Sequence, residues 1–320
     1  MLAPITYKAN DQEKRIELET GGVVEAWSLD AGSDVSRGRK YSLVVIDEAA
    51  IERQLDVKWQ LAIRPTLTDL QGSAWFFSTP KGFNFFYELF TRCDCPEYAD
   101  TWQSWQMPTS TNPYIPPEEL ELLQQELPRN YYDQEYNAKF VSLSEQFFRQ
   151  EYFRVVRPPS INDMYITMAV DPAISKSKSA AYTAIVVAGR SGDDYFILDA
   201  KRFKGGLQDI AYNMRAMYRQ WKPALVGVED VQFQRVIIEE LGQQMPIIGL
   251  NPKKYGGDKT SRALPLLALY EHGNVYHSDT LPIEFDQELL DFPHGDFLDQ
   301  VDAAVYAVAM LQSAGSVQIG

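Results

Sequence analysis

The pattern between residues 165 and 250 limits the fold more than any other stretch. Strands are predicted at Tyr165 to Val170, Thr183 to Ala188 and Tyr195 to Ala200, with Ser191-Gly192-Asp193-Asp194 as a hairpin turn, so this stretch opens as a three-strand meander. It then changes to alternation: a helix from about Leu207 to Trp221, a strand Ala224 to Val228, a helix from about Phe233 to Gln243 and a strand Pro246 to Leu250. Helices near Lys259 to His272 and Leu298 to Leu311 follow. The order is that of an α/β domain with a mixed sheet.

The first half is patterned differently. Lys14 to Glu19 alternates, Gly21-Gly22 turns, and Val23 to Leu29 returns as a second strand. Ser42 to Ile46 is almost wholly apolar, as expected of a parallel strand covered on both faces, and Ala74 to Phe77 is another such run. Prolines bracket a helix at Glu118 to Glu126, and a second helix is predicted to hold Tyr131 to Phe140. Pro158-Pro159 and Ser160-Ile161-Asn162-Asp163 read as a stiff polar connection. The domains are therefore placed at 1–145 and 164–320, with 146–163 as linker.

Thirty Lys and Arg against 44 Asp and Glu give a formal net charge of -14, which argues against a protein that coats nucleic acid with its whole surface. A local basic groove stays compatible with it. Cys93 and Cys95 are too close for an unstrained bridge and too few for a zinc site, so a reducing compartment is expected. Met1 to Lys8 lacks a signal-peptide pattern, and no apolar run approaches the ~18 residues of a membrane span, so the chain reads as intracellular without a membrane partner.

Leu43-Val44-Val45-Ile46-Asp47-Glu48 sets two adjacent carboxylates at the carboxyl end of an apolar strand, where open α/β sheets bind ligands. In ATP-hydrolysing P-loop enzymes the first acid of such a pair holds Mg²⁺ and the second acts on the attacking water. Two exposed acids at a strand-to-loop junction read the same way. Phe76-Phe77-Ser78-Thr79-Pro80 ends a second apolar strand in small polar residues. The sequence contains no G-x-x-x-x-G-K-[ST] to cradle phosphates, so this half alone is expected to bind ATP poorly.

A second set of acids is dispersed. Asp171 and Glu229 each end a strand, and Asp296, Asp299 and Asp302 recur every third residue at the last helix. Carboxylates from two strand ends and one helix can converge at a sheet edge and share two divalent ions, Mg²⁺ or Mn²⁺, for phosphodiester cleavage. Asp296 is expected in the turn before the helix. Asp299 can instead cap that helix, with Asp302 merely solvated. The run from Asn251 to Arg262 is locally basic, and its Lys253, Lys254, Lys259 and Arg262 suit DNA phosphates. His272, His277 and His294 lack ligand spacing, and the aromatics of Phe83 to Phe90 read as core or interface.

These landmarks together resemble the carboxyl-terminal two-thirds of the large subunit of the tailed-phage terminase, a DNA-packaging ATPase and nuclease. Ser36-Arg37-Gly38-Arg39, VVIDEAA, FFSTPKG and NPYIPPEELELLQQELPRNYYDQEYNAKF resemble its ATPase domain. MAVDPA, VGVEDVQFQ, GGDKTSRA and FLDQVDAAVYAVAML resemble its ribonuclease H-like nuclease domain, in the family's order. The resemblance implies Asp47 as the Mg²⁺-linked acid, Glu48 as the catalytic glutamate, and Ser78 and Thr79 as the coupling motif. It implies Asp171, Glu229 and Asp299 as nuclease acids, assisted by Asp302 or Asp296, with Asp230 replacing Glu229 if the register shifts by one. Arg37 and Arg39 are candidates for the arginine that acts on ATP.

Expected partners are double-stranded DNA, the phage portal, the small terminase subunit and further copies in a ring, in the host cytoplasm. The family's phosphate-binding loop precedes everything in this sequence, so ATP binding is expected only if that part is supplied. Two other readings stay open: a non-enzymatic assembly subunit of the motor, and a resolvase or transposase of ribonuclease H fold. The latter leaves VVIDEAA and FFSTP unexplained.

Overall fold

A computed structural model describes residues 7–29, 38–142, 147–172, 182–229, 237, 240–255 and 257–315, with side chains to residue 313. Its internal contacts divide the chain into one unit of 1–111 with 133–142 and another of 112–132 with 143–320.

In the first unit, β1 (Tyr7–Asn10), β2 (Arg15–Leu18) and β3 (Val23–Glu25) form an antiparallel meander. The sequence pattern anticipated the β2–β3 hairpin but not β1, and β3 stops at Glu25 rather than Leu29. β4 (Leu43–Ile46) pairs in parallel with β5 (Ser73–Phe76), Ile46 opposite Phe76. Ile46 packs with Ala49, Leu55, Trp59, Ile63, Phe86 and Leu89, drawn from α1 (Leu55–Lys58), a π-helical turn Trp59–Ile63 and α3 (Phe85–Phe90). α2 (Arg64–Thr66), which contains Pro65, continues the π turn. The expectation that β4 is covered on both faces fails. Leu43 and Val45 are 49% and 55% exposed, because alternate side chains point to opposite faces and the described helices pack on one.

α4 (Pro117–Glu126) begins on a proline as expected. α5 (Arg129–Glu135) is shorter than the predicted Tyr131 to Phe140 helix. Asp133 accepts from Asn137 Nδ2 at 2.7 Å and Lys139 Nζ at 3.0 Å, its carbonyl takes the Lys139 N–H at 2.9 Å, and Ala138 turns left-handed at φ 51. These side-chain bonds close a loop that competes with helix continuation.

The second unit holds a seven-stranded mixed sheet in the order β11-β10-β7-β8-β9-β12-β6. Its strands are β6 (Arg154–Val156), β7 (Tyr165–Asp171), β8 (Thr183–Ser191), β9 (Asp194–Phe203), β10 (Leu225–Glu229), β11 (Ile247–Leu250) and β12 (Val275–Ser278). β7, β8 and β9 run antiparallel as the meander predicted, and Gly192 makes their turn at φ 62. β10 and β11 extend the β7 edge in parallel, and β12 and β6 extend the β9 edge likewise. Periodicity missed β6 and β12, which are only three and four residues long and sit beyond the strong pattern.

Helices cover both faces. α6 (Leu207–Trp221) buries Ile210, Met214 and Met217 against Met168, Val170, Ile185 and Val187. On the other face lie α7 (Lys259–Glu271), α8 (Ile283–Asp291) and α9 (Asp299–Gly315). α9 is apolar nearly all round from Val301 to Leu311, the mark of a helix buried on every side, and it crosses β7 and β8. Thr167 Oγ1 donates to the Ala307 carbonyl at 2.8 Å, and a Cβ at Gly227 would meet Met310 Sδ at 2.8 Å. That glycine sets how closely β10 approaches the helix. Most of the predicted helix Phe233 to Gln243 lies outside the described residues. Among the described residues, no helix is long and apolar enough to cross a membrane.

Candidate active site

Asp171 and Glu229 end neighbouring parallel strands. Val228 of β10 lies opposite Val170 of β7, so the next residue on each strand is an acid, both at the carboxyl edge of the sheet. α9 adds its first turn, with Asp299 and Asp302 three residues apart on one side. Asp299 is half-buried, while Asp302 is 3% exposed, which overturns the alternative of a merely solvated Asp302. Asp296 lies exposed before the helix. Asp230 is outside the described residues.

The start of α9 is fastened from below. Glu288 of α8, 3% exposed, accepts from the Gln300 N–H at 2.5 Å, from Gln300 Nε2 at 2.8 Å and from the Val301 N–H at 3.4 Å. It also pairs with Arg202 of β9 at 2.8 Å. Glu288, rather than Asp299, therefore satisfies the free amides of the first turn, and its negative charge suits the positive end of the helix dipole. Sequence reading missed Glu288 and Arg202. The available signal was Phe285, Glu288, Leu289 and Phe292, an apolar helical face interrupted by one acid.

α7 brings two cations to the same place. Asp258 caps it by accepting from the Ser261 N–H at 3.0 Å and the Ser261 hydroxyl at 2.7 Å. One turn apart, Lys259 and Arg262 then reach Asp302: Lys259 Nζ lies 2.5 Å from Oδ2 and Arg262 Nη2 lies 3.1 Å from Oδ1. Arg262 was expected on DNA phosphates; its side chain is 8% exposed and directed at the acid. Lys253 and Lys254, also expected there, stand exposed on a short 3₁₀ turn, Pro252–Lys254, held by Asn251.

Burial and crowding of like charge set the electrostatics. The Asp171 carboxyl is pushed well above the usual range, first by burial, then by the charge and hydrogen bond of Glu229, then by Asp302 and Asp299. Asp299 is raised by burial and by Glu288, with Lys259 opposing. At Lys259 burial works against the charge, but the Asp302 hydrogen bond and the charges of Asp302, Asp171 and Asp299 prevail and raise the ammonium. Tyr306 is raised by burial and by Glu229, and its hydroxyl has no hydrogen-bond partner among the described residues. Among the described residues, no three or more His, Cys, Asp or Glu side chains are already grouped as ligands of one ion. The donor set still suits a hard divalent cation. Asp171 and Glu229 are carboxylates at the ends of adjacent strands, and a cation between them would relieve the repulsion that holds the Asp171 carboxyl high.

In the first unit, Asp47 and Glu48 are exposed just past β4. The Glu48 N–H donates to Asp47 Oδ1 at 3.0 Å, and Glu48 adopts φ 52. Ser78 follows β5, accepts from the Ala50 N–H at 3.0 Å and donates to Glu48 Oε2 at 3.5 Å. The structure thus brings Ser78 to Glu48, with Thr79 partly buried beside it. Arg39 is engaged with Glu25 at 2.5 Å and stacked 4.1 Å over Trp27, and Arg37 lies outside the described residues.

Residues 168–311 match the family model described as the terminase RNaseH-like domain. The large terminase subunit of Escherichia phage T5 is 32% identical over 146 residues, which are 45% of this chain and 32% of that protein. The large terminase subunit of Thermus phage G20c is 33% identical over 36% of this chain and 26% of its own length. These matches thus span about a third or less of each relative. A solved large terminase from a thermophilic bacteriophage aligns with 96% of this chain and 79% of its own at 13% identity and a TM-score of 0.49.

Proposed function

We propose, on the premise that residues 168–311 carry a terminase RNaseH-like domain, that this domain is a metal-dependent endonuclease cutting concatemeric double-stranded DNA in a phage packaging motor. The observation that carries the reading is the meeting of Asp171 and Glu229, on adjacent strand ends, with the first turn of α9. Mg²⁺ or Mn²⁺ would be held by Asp171, Glu229 and Asp299, where a bound ion supplies a Lewis acid and an activated water for phosphodiester hydrolysis.

The rest of the site holds these acids in place. Glu288 and Arg202 fix the start of α9, Thr167 pins its body to β7, and Lys259 with Arg262 holds Asp302. Lys253 and Lys254, exposed close in sequence to α7 and in no ion pair among the described residues, are placed to take DNA phosphates, while Lys259 reaches one only from its place on Asp302. In a chain of net charge -14 such a local patch must overcome repulsion of the duplex.

For the first unit we read Asp47 as the Mg²⁺-linked acid, Glu48 as the catalytic glutamate and Ser78 with Thr79 as the coupling segment of an ATPase. The contact of Ser78 with Glu48 supports this, since it ties the end of β5 to the acid. ATP is bound when a phosphate-binding loop is supplied. The portal, the small terminase subunit and further copies of the chain are the proposed partners, and the host cytoplasm the proposed place.

The deciding experiment is cleavage of supercoiled plasmid by the full chain. Nicking and linearisation in Mn²⁺ or Mg²⁺, with none in EDTA, is the expected result. Equal cutting in EDTA, or no cutting at any divalent-ion concentration, removes the nuclease reading.

A further inference from the structure

The carboxyl edge of β7 also carries an aromatic patch. Asp171, Ala184 and Arg202 lie opposite one another on β7, β8 and β9, so their side chains leave the same face of the sheet, and Arg202 stands two strand spacings, roughly 10 Å, from Asp171. Two rings surround it. The guanidinium carbon lies 4.4 Å from the centre of the Phe297 ring and 5.1 Å from that of Tyr182, and the rings meet edge to face at 5.1 Å. Lys204, exposed just past β9, holds Nζ 4.6 Å over the Tyr182 ring. Phe297 precedes α9 closely, and the Arg202 charge reaches Asp299, where burial raises the carboxyl and the guanidinium works against it.

What this patch offers a ligand is chiefly a ring. Arg202 is 21% exposed and its guanidinium is engaged by Glu288 at 2.8 Å. Phe297 stays 40% exposed, with that guanidinium over the ring as support. An exposed flat ring beside a lysine is the pairing that holds a base and its phosphate in single-stranded nucleic acid. A closed duplex hides its base faces, so such a ring is used only where a nucleotide has left the stack. Covering the Arg202–Glu288 pair is the plainer role of Phe297, and any apolar side chain of its size performs that.

We propose that Phe297, with Tyr182 and Lys204 beside it, takes an unstacked nucleotide of the DNA strand lying on the acid cluster, the ring against the base and the ammonium toward a phosphate. The proposal rests on the nuclease reading above and adds to it a preference for DNA opened at the point of attack.

The test compares binding of the full chain, in Ca²⁺, to a duplex carrying a short unpaired bulge and to the same duplex fully paired. The parent prefers the bulged duplex by about tenfold, the size of one base–aromatic stack. Phe297→Leu, which keeps the apolar cover and removes the flat ring, loses the preference, and Phe297→Trp keeps it. Lys204→Gln weakens both duplexes alike and lowers the salt slope by about 1, with the preference intact. No preference in the parent, or a preference undiminished in Phe297→Leu, overturns the proposal. Melting temperatures near the parent's show that the variants are folded. Plasmid cutting in Mn²⁺ separates the two readings: a parent that cuts without the preference loses the nucleotide contact alone. A parent that shows a Phe297-dependent preference and cuts in no divalent ion keeps the contact and loses the nuclease.

Discussion

At the end of β4, Asp47 and Glu48 stand exposed, with one long hydrogen bond to Ser78 reaching across from the neighbouring strand. At the end of β7, Asp171 is partly buried beside Glu229, near two acids of α9 and two cations of α7. Both are apolar strands that terminate in a carboxylate. They differ in cover. β4 has one described neighbour and one open face, whereas β7 lies between β8 and β10 with helices on both faces. An acid in the first setting keeps its water and waits for a ligand to organise it. In the second it has lost part of its water, and the like charges around it create a demand for a cation before any substrate arrives.

The largest effect follows from exchanging one acid at each end. Asp171→Asn should lower Mn²⁺-dependent plasmid cleavage by at least about a thousandfold, since it removes a carboxylate held at the centre of the site. Glu48→Gln should leave cleavage unchanged, and neither parent nor variant should turn over ATP, because the sequence has no phosphate-binding loop motif for Glu48 to serve. Cleavage by the Asn variant at the parent rate, or ATP turnover abolished in the Gln variant, would erase the contrast.

Stability comes next. Arg262→Met leaves a buried Asp302 with only the half-exposed Lys259, and urea unfolding should show a loss of about 3 kcal/mol. Lys40→Met, at the exposed Lys40–Asp69 pair of the first unit, should leave the midpoint near the parent's. If the two cations count equally, burial is not what separates the regions.

A smaller effect lies in pH. The folded Asp171 carboxyl titrates above its unfolded value near ~3.9, so the folded state binds that proton more tightly and stability falls as pH rises from there through the folded value. Asp171→Asn removes this penalty. In EDTA at pH 7.5 the variant should melt about 2 to 4 °C above the parent, with the gap closing toward pH 4. A variant that melts lower at neutral pH would show that Asp171 is not strained there.

The smallest expected change concerns DNA. Lys253→Ala with Lys254→Ala should reduce the salt slope of duplex binding by about 1 to 2 units, measured in Ca²⁺ to prevent cutting, at ~0.9 per phosphate contact. An unchanged slope places the duplex elsewhere on the unit.

Much of this was legible in the chain itself. The β7–β8–β9 meander, α6, β10 and β11 follow from alternation and turn residues, because a strand with buried faces must write its periodicity into the sequence. The acids at the strand ends were legible for the same reason, since each interrupts an apolar run. β6, β12 and α8 were not, being short or weakly patterned, and with them went Glu288, the residue that fastens α9.

The sequence alone determined which carboxylates stand at the carboxyl edges of strands, and that a basic segment precedes α7. Only the tertiary structure decided what those cations do. Lys259 and Arg262 look from the sequence like surface charge for phosphates, yet α7 packs so that both meet Asp302. A charge's partner is set by which faces of two helices are brought together, and with Asp302 lying 43 positions after Lys259, no local pattern carries that information.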